Sequence, residues 1–395
     1  MSKIILAYCN QPIFRVHDKY YTPHANFIDF LAYWTRKNSK SRLAVPVSIR
    51  SRIEHTWVEL TLQRQKVIEV SSYNSHFGAI IFGFLNAIRF RKCIYDFEQQ
   101  YSTGFSIVLP SPNAFSATLS CITGAKIASI SLSVIRGNSL KTVSHMYANH
   151  KVKWLVVGLS KFFLKRLDTF QQRGAKALCF GDDLTESRRR YGPSLSITPL
   201  IESLPNPSNA VMKTALDRNK KLSMLYIGRL SHEKGLVELM DTLEQLVDAG
   251  YIFNMLIAGH GPLKEHIENR TTTAKLKPHV RFVGRLSPGV QVFKTMDEAD
   301  VLLLPSKTEG VPRVIVESLS RGLIVITTAV GGIKPAFGSD VLYFNSHKVS
   351  DLTDTISQYL ENPTLLNQYR SANSLALKRF TFEDNIERIE KSIHN

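Results

Sequence analysis

The chain reads VLLLPSKTEGVPRVIVE between Val301 and Glu317. Its leading apolar run predicts a strand that is buried on both faces, as the strands of parallel sheets are. A short polar loop follows, and a helix is expected to begin near Pro312, because proline suits the first helical turn. Open α/β sheets are built from such strand, loop and helix units, and their ligands bind at the carboxyl ends of the strands.

The second half of the chain repeats this unit. Short β-branched runs alternate with helical patterns, which indicates βαβ units and a parallel sheet. The predicted strands are Leu222–Ile227, Phe253–Ala258, Val280–Val283, Val301–Leu304 and Ile324–Thr327. After the first strand, Lys234–Ala249 is a predicted helix that Gly250 ends. This order predicts a doubly wound nucleotide-binding domain.

The first half is expected to form a second domain of similar construction. Its apolar runs predict strands at Ile4–Tyr8, Leu43–Val47, Val67–Val70, Phe105–Leu109, Ile127–Leu132 and Ala177–Phe180. A chain of 395 residues exceeds the size at which one hydrophobic core stops growing. The segment Ser194–Asn209 contains three prolines and is the predicted linker. We therefore expect domains over residues 1–205 and 206–375, followed by a C-terminal helix within 376–395.

Positive charge is concentrated in the first half of the chain. Residues 1–200 contain 27 Lys and Arg against 11 Asp and Glu, a net charge of +16, whereas residues 201–395 contain 23 against 22, a net charge of +1. Such a one-sided field attracts phosphate-rich partners, whether nucleic acid, an anionic membrane surface or an acidic glycan. Scattered, solvated lysines and arginines would explain part of the same excess.

The segment Lys151–Phe170 has a helical pattern with one apolar face. The residues of that face are Val152, Leu155, Val156, Leu159, Phe162, Phe163 and Leu167. A helix on a membrane surface has this pattern. A helix that covers an internal sheet has it as well. Both interpretations remain open at this stage.

The sequence predicts neither a transmembrane helix nor a secretory signal. The longest apolar region, Phe77–Phe90, is shorter than the roughly 20 residues that span a bilayer. The apolar run Ile4–Tyr8 is too short for a signal peptide. The four cysteines are Cys9, Cys93, Cys121 and Cys179. They are far apart and mostly within apolar stretches, which predicts reduced core residues of a cytoplasmic protein.

The loop between the strand and the helix of Val301–Glu317 is the strongest candidate site. Backbone N–H groups around Gly310 and Val311, together with the dipole of the following helix, would offer donors to a phosphate. Glu309 and Glu317 are eight residues apart. Because carboxylates only accept hydrogen bonds, they suit sugar hydroxyls, such as those of a ribose and a hexose.

The cations that a phosphate requires must come from elsewhere in the domain. Arg229 stands at the carboxyl end of a predicted strand, and Lys234 stands at the start of the next helix. The two could clamp a diphosphate and neutralise it as a leaving group.

Six short motifs follow one another along about residues 220–345. They are Gly228-Arg229-x4-Lys234-Gly235, Gly259-His260-Gly261-Pro262, Phe282-Val283-Gly284, Pro305-Ser306-x2-Glu309-Gly310-x-Pro312, Glu309-x7-Glu317 and Gly331-Gly332-Ile333. Each motif alone is common. In this order they resemble the pattern of glycosyltransferase family 4.

The resemblance implies an α/β fold of the GT-B class, in which two Rossmann-like domains with parallel sheets face each other across a cleft. It implies that the C-terminal helix crosses back to the first domain, which holds the acceptor. It also implies a hexosyltransferase that uses a UDP- or GDP-linked sugar as co-substrate and retains the anomeric configuration. Such an enzyme needs no metal or other cofactor for the step.

The resemblance also implies roles for individual residues. The implied catalytic residues are Arg229 and Lys234, which would contact the donor diphosphate, and Glu309, which would bind the transferred sugar. Glu317 would bind the ribose. The other implied donor-binding positions are Gly228, Gly310, Val311 and Pro312, with Val283, Arg285 and Leu286 beside the base.

The first half departs from the family pattern. Many members have a glycine-rich loop after the first strand, whereas this chain has CNQPIFR at residues 9–15. Asn10 in that loop and Arg136, which follows another predicted strand, are the candidate cleft residues on this side. Neither has a defined role.

Three functions fit these patterns to different degrees. The first is transfer of a sugar to a glycan or lipid-linked acceptor in cell-surface polysaccharide biosynthesis, with peripheral contact between the basic half and the inner face of an anionic membrane. The second keeps the fold and makes the protein a nucleotide-sugar epimerase or a phosphorylase. The third is nucleic-acid binding, which the pI of 9.7 would suit. No nucleic-acid partner is expected, because recognised binding motifs are missing and the sharpest motifs lie in the half with little net charge.

Overall fold

The structure is a computed structural model. It describes residues 4–9, 11, 13–22, 26–54, 57–72, 76–102, 104–111, 114–135, 153–180, 197–200, 211, 213–216, 221–287, 289–346, 348–369 and 380–394. Contacts within the chain divide it into two units, Met1–Leu200 together with Asn385–Asn395, and Ile201–Asp384.

Ten strands form the sheet of the first unit within its described residues. They are β1 (Ile4–Tyr8), β2 (Ile13–Val16), β3 (Lys19–Thr22), β4 (Arg42–Ile49), β5 (Val58–Leu60), β6 (Val67–Ser71), β7 (Phe105–Ser111), β8 (Ser131–Ile135), β9 (Lys176–Phe180) and β10 (Ile197–Leu200). The order is β10-β9-β8-β7-β1-β4-β2-β3-β5, and β6 also pairs with β4. Pairing is parallel except where β3 meets β2 and β5.

The helices of the first unit connect these strands. They are α1 (Asn26–Arg36), α2 (His76–Tyr101), α3 (Ala114–Ile122), α4 (Ala125–Ser129) and α5 (Lys153–Gln172). The buried faces of α2 and α3 pack against β1 and β7, and Tyr8 of β1 stacks on Phe115 of α3 with ring centroids 3.6 Å apart. Aromatic and aliphatic burial of this kind is the main stabilising contribution in such a layer.

The described part of the second unit contains a six-stranded sheet with parallel pairing throughout. Its strands are β11 (Ser223–Arg229), β12 (Asn254–His260), β13 (Val280–Gly284), β14 (Val301–Leu304), β15 (Ile324–Thr328) and β16 (Leu342–Phe344). All residues of β14 and β15 are buried, as expected for strands that are covered on both faces.

Seven α-helices are described from residue 236 onward, besides a short 3-10 helix at Pro363–Leu366. They are α6 (Leu236–Asp248), α7 (Lys264–Thr271), α8 (Val290–Asp297), α9 (Arg313–Ser320), α10 (Ile333–Phe337), α11 (Val349–Glu361) and α12 (Phe382–His394). In α6 the buried positions Leu236, Leu239, Met240, Leu243 and Leu246 recur every three or four residues. This spacing places them on one face toward the core. Helix α12 begins in the second unit, and its residues from Asn385 onward group with the first.

Most predicted strands lie within one or two residues of the observed ones, and three predictions need correction. The first half of the predicted strand Ile127–Leu132 belongs to helix α4, Ala125–Ser129, and β8 begins at Ser131. A short buried apolar run fits a helix or a strand equally well, so the pattern could not separate the two.

The predicted linker contains a strand. Ile197–Leu200 forms β10, which pairs with β9 and lies at the edge of the sheet. Pro199 is tolerated there, because an edge strand can leave one N–H position without a ladder partner.

The helix predicted from Lys234 begins later. A short 3-10 helix spans His232–Lys234, and α6 begins at Leu236, because Gly235 between them has a left-handed conformation with φ +67°. The hairpin strands β2 and β3, the short strand β5 and the last strand β16 had no counterpart in the sequence prediction.

Exposure data refine two further expectations. Cys9 is buried, but Cys121 is exposed, so not every cysteine is a core residue. Phe162 of α5 is 45% exposed and therefore does not belong to a buried face of that helix. Within the described residues, no helix is both long and apolar enough to cross a bilayer.

Candidate functional site

The site residues lie where the strand order of the second sheet reverses. The order β13-β12-β11-β14-β15-β16 places the first strand of the unit beside the fourth. The connections that follow β11 and β14 therefore lead to opposite sides of the sheet, which leaves a crevice between them at the carboxyl ends of these strands. Ligands of doubly wound folds bind in this crevice.

The connection after β11 begins at Arg229, the last residue of the strand. Tyr226, which is fully buried, donates a hydrogen bond from its hydroxyl to the backbone oxygen of Arg229 at 2.9 Å. Burial raises the pKa of Tyr226, and the nearby carboxylate of Glu309 adds to the rise. The phenol therefore stays protonated and holds the strand end in place.

Gly235 allows the connections after β11 and β14 to touch. A Cβ atom at this position would lie 2.0 Å from the backbone oxygen of Pro305. The backbone N–H of Lys307 also donates to the backbone oxygen of Glu233 at 2.9 Å. These contacts hold the two loops together without any side chain between them.

A charged pair also joins these two loops. Lys234 Nζ lies 2.6 Å from Glu309 Oε1, and the side chains are 21% and 9% exposed. Ser306, which is buried, donates from Oγ to the same carboxylate oxygen at 2.8 Å. Both described contacts use Oε1, so Oε2 keeps its capacity to accept hydrogen bonds from a ligand.

Glu317 is held by a residue that the sequence analysis missed. Arg313 Nε lies 2.7 Å from Glu317 Oε1, four residues further along α9. Arginine four residues before a glutamate is a recognisable helical pair, so this spacing could have identified Arg313. Each of the two predicted carboxylates therefore has a cation beside it.

The start of α9 is open around Gly310. A Cβ atom added at Gly310 would meet no atom within 4 Å. The helix begins at Arg313, one position later than predicted, and Pro312 just before it has an extended conformation. The backbone oxygen of Gly310 accepts from the N–H of Gly332 at 3.2 Å, which ties this loop to the connection after β15. Free N–H groups at such a helix start favour an anion.

A third acidic residue, Glu233, lies beside the cations. Ser231 Oγ donates to Glu233 Oε1 at 2.7 Å, and this hydrogen bond lowers the pKa of Glu233, with further lowering by the charges of Lys234 and Arg229. Arg229 itself is exposed, and no carboxylate of the described residues forms an ion pair with it. Its guanidinium is therefore available to an anion.

The remaining predicted residues fall in three groups. Val283 and Gly284 end β13, and the exposed Arg285 and half-buried Leu286 follow it, two strands from β11 at the same edge of the sheet. Gly228 is the penultimate residue of β11, and Val311 lies half-buried in the loop after β14. The candidate cleft residues Asn10 and Arg136 lie outside the described residues.

The described residues include no cluster of three or more His, Cys, Asp or Glu side chains that could hold a metal ion.

The second unit is similar in sequence to known proteins. Residues 210–375 match the family model of glycosyl transferases group 1. The 2-deoxystreptamine glucosyltransferase of Streptomyces kanamyceticus is 31% identical over 140 residues, which are 35% of this chain and 36% of that enzyme. The putative teichuronic acid biosynthesis glycosyltransferase TuaC of Bacillus subtilis (strain 168) is 34% identical over 136 residues, 34% of this chain and 32% of TuaC. The chain thus matches about a third of the length of these relatives.

A solved structure extends the comparison to the whole chain. HepE of Anabaena, in complex with UDP, has a TM-score of 0.63 at 14% identity, and the match covers 99% of each chain. At this identity the likeness concerns the fold. It confirms the predicted α/β fold of the GT-B class, with two Rossmann-like units.

Proposed function

We propose that this protein is a retaining glycosyltransferase of family 4, which transfers a hexose from a nucleotide-sugar to a hydroxyl of a glycan or lipid-linked acceptor. The observation that carries the proposal is the pairing of Lys234 with Glu309 at the switch point of the second sheet. It joins a phosphate-binding cation to a hydroxyl-binding carboxylate, and Arg229 and Glu317 lie in the same two connections. The match of residues 210–375 to glycosyl transferases group 1 supports the same assignment.

The donor would lie along the carboxyl edge of the sheet. Its base would contact Val283, Arg285 and Leu286, its ribose Glu317, and its diphosphate Arg229 and the N–H groups of Gly310 and Val311. Gly228, which has no side chain, would let the backbone approach the ligand, and Pro312 would lie beside the ligand just before the start of α9. The UDP in the HepE complex supports a uridine donor as the first candidate, with a GDP-sugar as the second.

Lys234 would contact both Glu309, which binds the sugar, and the diphosphate from which the sugar separates. An ammonium group has three N–H donors, so Lys234 can keep its contact with Glu309 while it donates to a phosphate oxygen. As the bond to the sugar breaks, negative charge grows on the diphosphate, and Lys234, Arg229 and the start of α9 would stabilise it. The acceptor hydroxyl would attack on the face that the leaving group vacates, which retains the anomeric configuration.

The proposal assigns the two halves of the chain different substrates. Residues 1–205 would bind the acceptor, residues 206–375 would bind the donor, and the terminal segment 376–395 would cross back to the first domain. The step would need no metal. The similarity to TuaC, which is named a putative teichuronic acid biosynthesis glycosyltransferase, supports an acceptor in cell-surface polysaccharide biosynthesis. The basic first half supports peripheral contact with an anionic membrane on its cytoplasmic side.

The test is a thermal-shift screen with UDP-, GDP-, ADP- and CDP-sugars, followed by transfer of a labelled sugar. A ligand that binds the folded state raises the melting temperature. We expect a UDP- or GDP-sugar to raise it, and we expect NMR of the product to show the anomeric configuration of the donor. Transfer should persist in EDTA. If none of the nucleotide-sugars shifts the melting temperature, the donor site is wrongly assigned.

The same screen separates the alternatives. A donor-only incubation that interconverts two nucleotide-sugars would indicate an epimerase, and release of a sugar phosphate would indicate a phosphorylase. The two relatives described above are glycosyltransferases, which supports transfer. A gel-shift at physiological salt tests nucleic-acid binding, which we expect to be negative.

A further inference from the structure

The outward face of two helices in the first unit has an unusual composition. Helices α2 and α5 both pack on α3. The side of α2 that faces the core carries Ala87, Phe90 and Ile94, all buried, as expected for a helix that covers a sheet. The opposite side of such a helix normally carries polar residues.

In α2 the opposite side carries large apolar residues. Phe84 is 43% exposed, Leu85 44%, Ile88 59% and Tyr95 59%. Phe84, Ile88 and Tyr95 are four and seven residues apart, so they form one stripe along the helix. The core is already formed by the buried side, so these exposed side chains add nothing to it.

Helix α5 continues this composition. Trp154 is 76% exposed and Phe162 is 45% exposed. The guanidinium of Arg166 lies over the Phe162 ring, 5.2 Å from its centroid. We call the exposed apolar residues of both helices the outer apolar face, which consists of Phe84, Leu85, Ile88, Tyr95, Trp154 and Phe162.

Cations lie among these apolar residues. The exposed cations of the two helices are Arg89, Arg91, Lys92, Lys161, Lys165 and Arg166. The acidic residues of the two helices are Asp96, Glu98 and Asp168. Glu98 is paired with Lys126 at 3.4 Å. The net charge of the surface is therefore positive, as in helices that lie on anionic membranes.

We propose that the outer apolar face docks this protein onto an anionic lipid surface. Its aromatic and aliphatic side chains enter the boundary between headgroups and acyl chains, while the neighbouring lysines and arginines contact lipid phosphates. A protein partner would favour a dry apolar centre with few charges, whereas here cations are interspersed along the stripe. The outer apolar face is a physical site for the membrane contact that the proposed function includes. Only the biological purpose of this docking rests on the proposed function.

The experiment measures co-sedimentation of the full chain with vesicles, without any substrate. Vesicles of phosphatidylcholine alone are compared with an equimolar mixture of phosphatidylcholine and phosphatidylglycerol. We expect binding to the mixed vesicles, weakened by salt. Reversing two charges in Arg91→Glu/Lys92→Glu should lower the partition coefficient at least about tenfold. The apolar variant Phe84→Ser/Leu85→Ser/Ile88→Ser should lower it by at least as much.

Matched controls come from the second unit. Ile252→Ser/Leu365→Ser removes two exposed apolar residues there, and Lys264→Glu/Lys277→Glu reverses two exposed charges. Both controls should bind vesicles like the unchanged protein. Thermal shifts with UDP should be the same in all variants, which separates a failure of docking from a failure of the donor site.

Two results would overturn the proposal. One is equal binding of the unchanged protein and of both α2 variants to mixed vesicles. The other is an apolar α2 variant that changes the oligomeric state in size-exclusion chromatography while vesicle binding persists, which would make the face an interface between copies of the chain.

Discussion

The two units differ in the structure that follows their first strands. In the second unit, β11 leads through Arg229 and Lys234 into α6, with Gly235 at the helix start. In the first unit, β1 pairs with β4 through Leu6, Ala7 and Tyr8, and the chain soon returns to the same strand as β2. One unit leaves a loop and a helix start at its switch point, and the other continues its sheet.

This difference explains why net charge is a poor guide to the candidate site. Arg229 ends the first strand of the second unit, whereas Arg15 lies in β2, the next strand after β1, and its Nε lies 3.1 Å from Glu69 Oε1. Tyr20 donates to the same carboxylate at 2.9 Å, and burial with this hydrogen bond raises its pKa to about 12. The guanidinium of Arg15 is thus paired with a carboxylate of the same sheet. A phosphate site needs a helix start, close backbone approach and a free cation together.

Replacement of Lys234 tests this comparison most strongly. Lys234→Ala removes the cation that touches Glu309, and we expect the transfer rate to fall by roughly two to three orders of magnitude, as for loss of an oxyanion donor. The measurement is steady-state transfer from the donor found in the thermal-shift screen. Arg15→Ala in the first unit is the control, and nucleotide binding should survive it. Near-normal turnover of folded Lys234→Ala would remove Lys234 from the catalytic machinery.

Replacement of Glu309 separates its charge from its shape. Glu309→Gln keeps the volume and loses the charge-assisted hydrogen bonds, so the rate should fall about tenfold to a hundredfold. Single-turnover kinetics with saturating donor measures the chemical step. Glu69→Gln breaks the comparable pair of the first unit and should leave donor affinity unchanged. An equal loss in both variants would indicate a general effect on folding.

Replacement of Gly235 tests whether the contact between the two loops stabilises the second unit. Gly235→Ala places a Cβ atom against the backbone oxygen of Pro305 in a left-handed conformation. Gly250 also has positive φ but open space around its Cα atom, so Gly250→Ala is the matched control. We expect Gly235→Ala to lose about 1–3 kcal/mol more free energy of unfolding than the control. Denaturant unfolding measures this difference, and equal losses would show that the loops can separate freely.

Replacement of Arg313 is expected to have the smallest effect on donor binding. Pairs four residues apart on a helix contribute about 0.3–0.5 kcal/mol, so Arg313→Ala should raise the KM for the donor only about twofold. Lys264→Ala removes a similar pair in α7, between Lys264 and Glu268, and should leave KM unchanged. A tenfold rise in Arg313→Ala would mean that the guanidinium contacts the donor directly.

Sequence patterns predicted the second unit better than the first. The strand Val301–Leu304 was predicted to the residue, because a continuous apolar run between polar loops is typical of a doubly covered parallel strand. The hairpin of β2 and β3 was missed, because its strands are only four residues long and mix charged and aromatic side chains. Pro199 suggested a linker, although an edge strand accommodates it.

The sequence alone determined which chemical groups are present and in what order. Strands, glycines, Arg229, Lys234, Glu309 and Glu317 follow from local patterns and from the resemblance to a family, since these depend on short spacings along the chain. Tertiary structure decided that Lys234 Nζ meets Glu309 Oε1 and that Ser306 supports the same oxygen. Lys234 and Glu309 are far apart along the chain, so only the pairing of β11 with β14 brings them together. The sheet order therefore turns two separate loops into one candidate site.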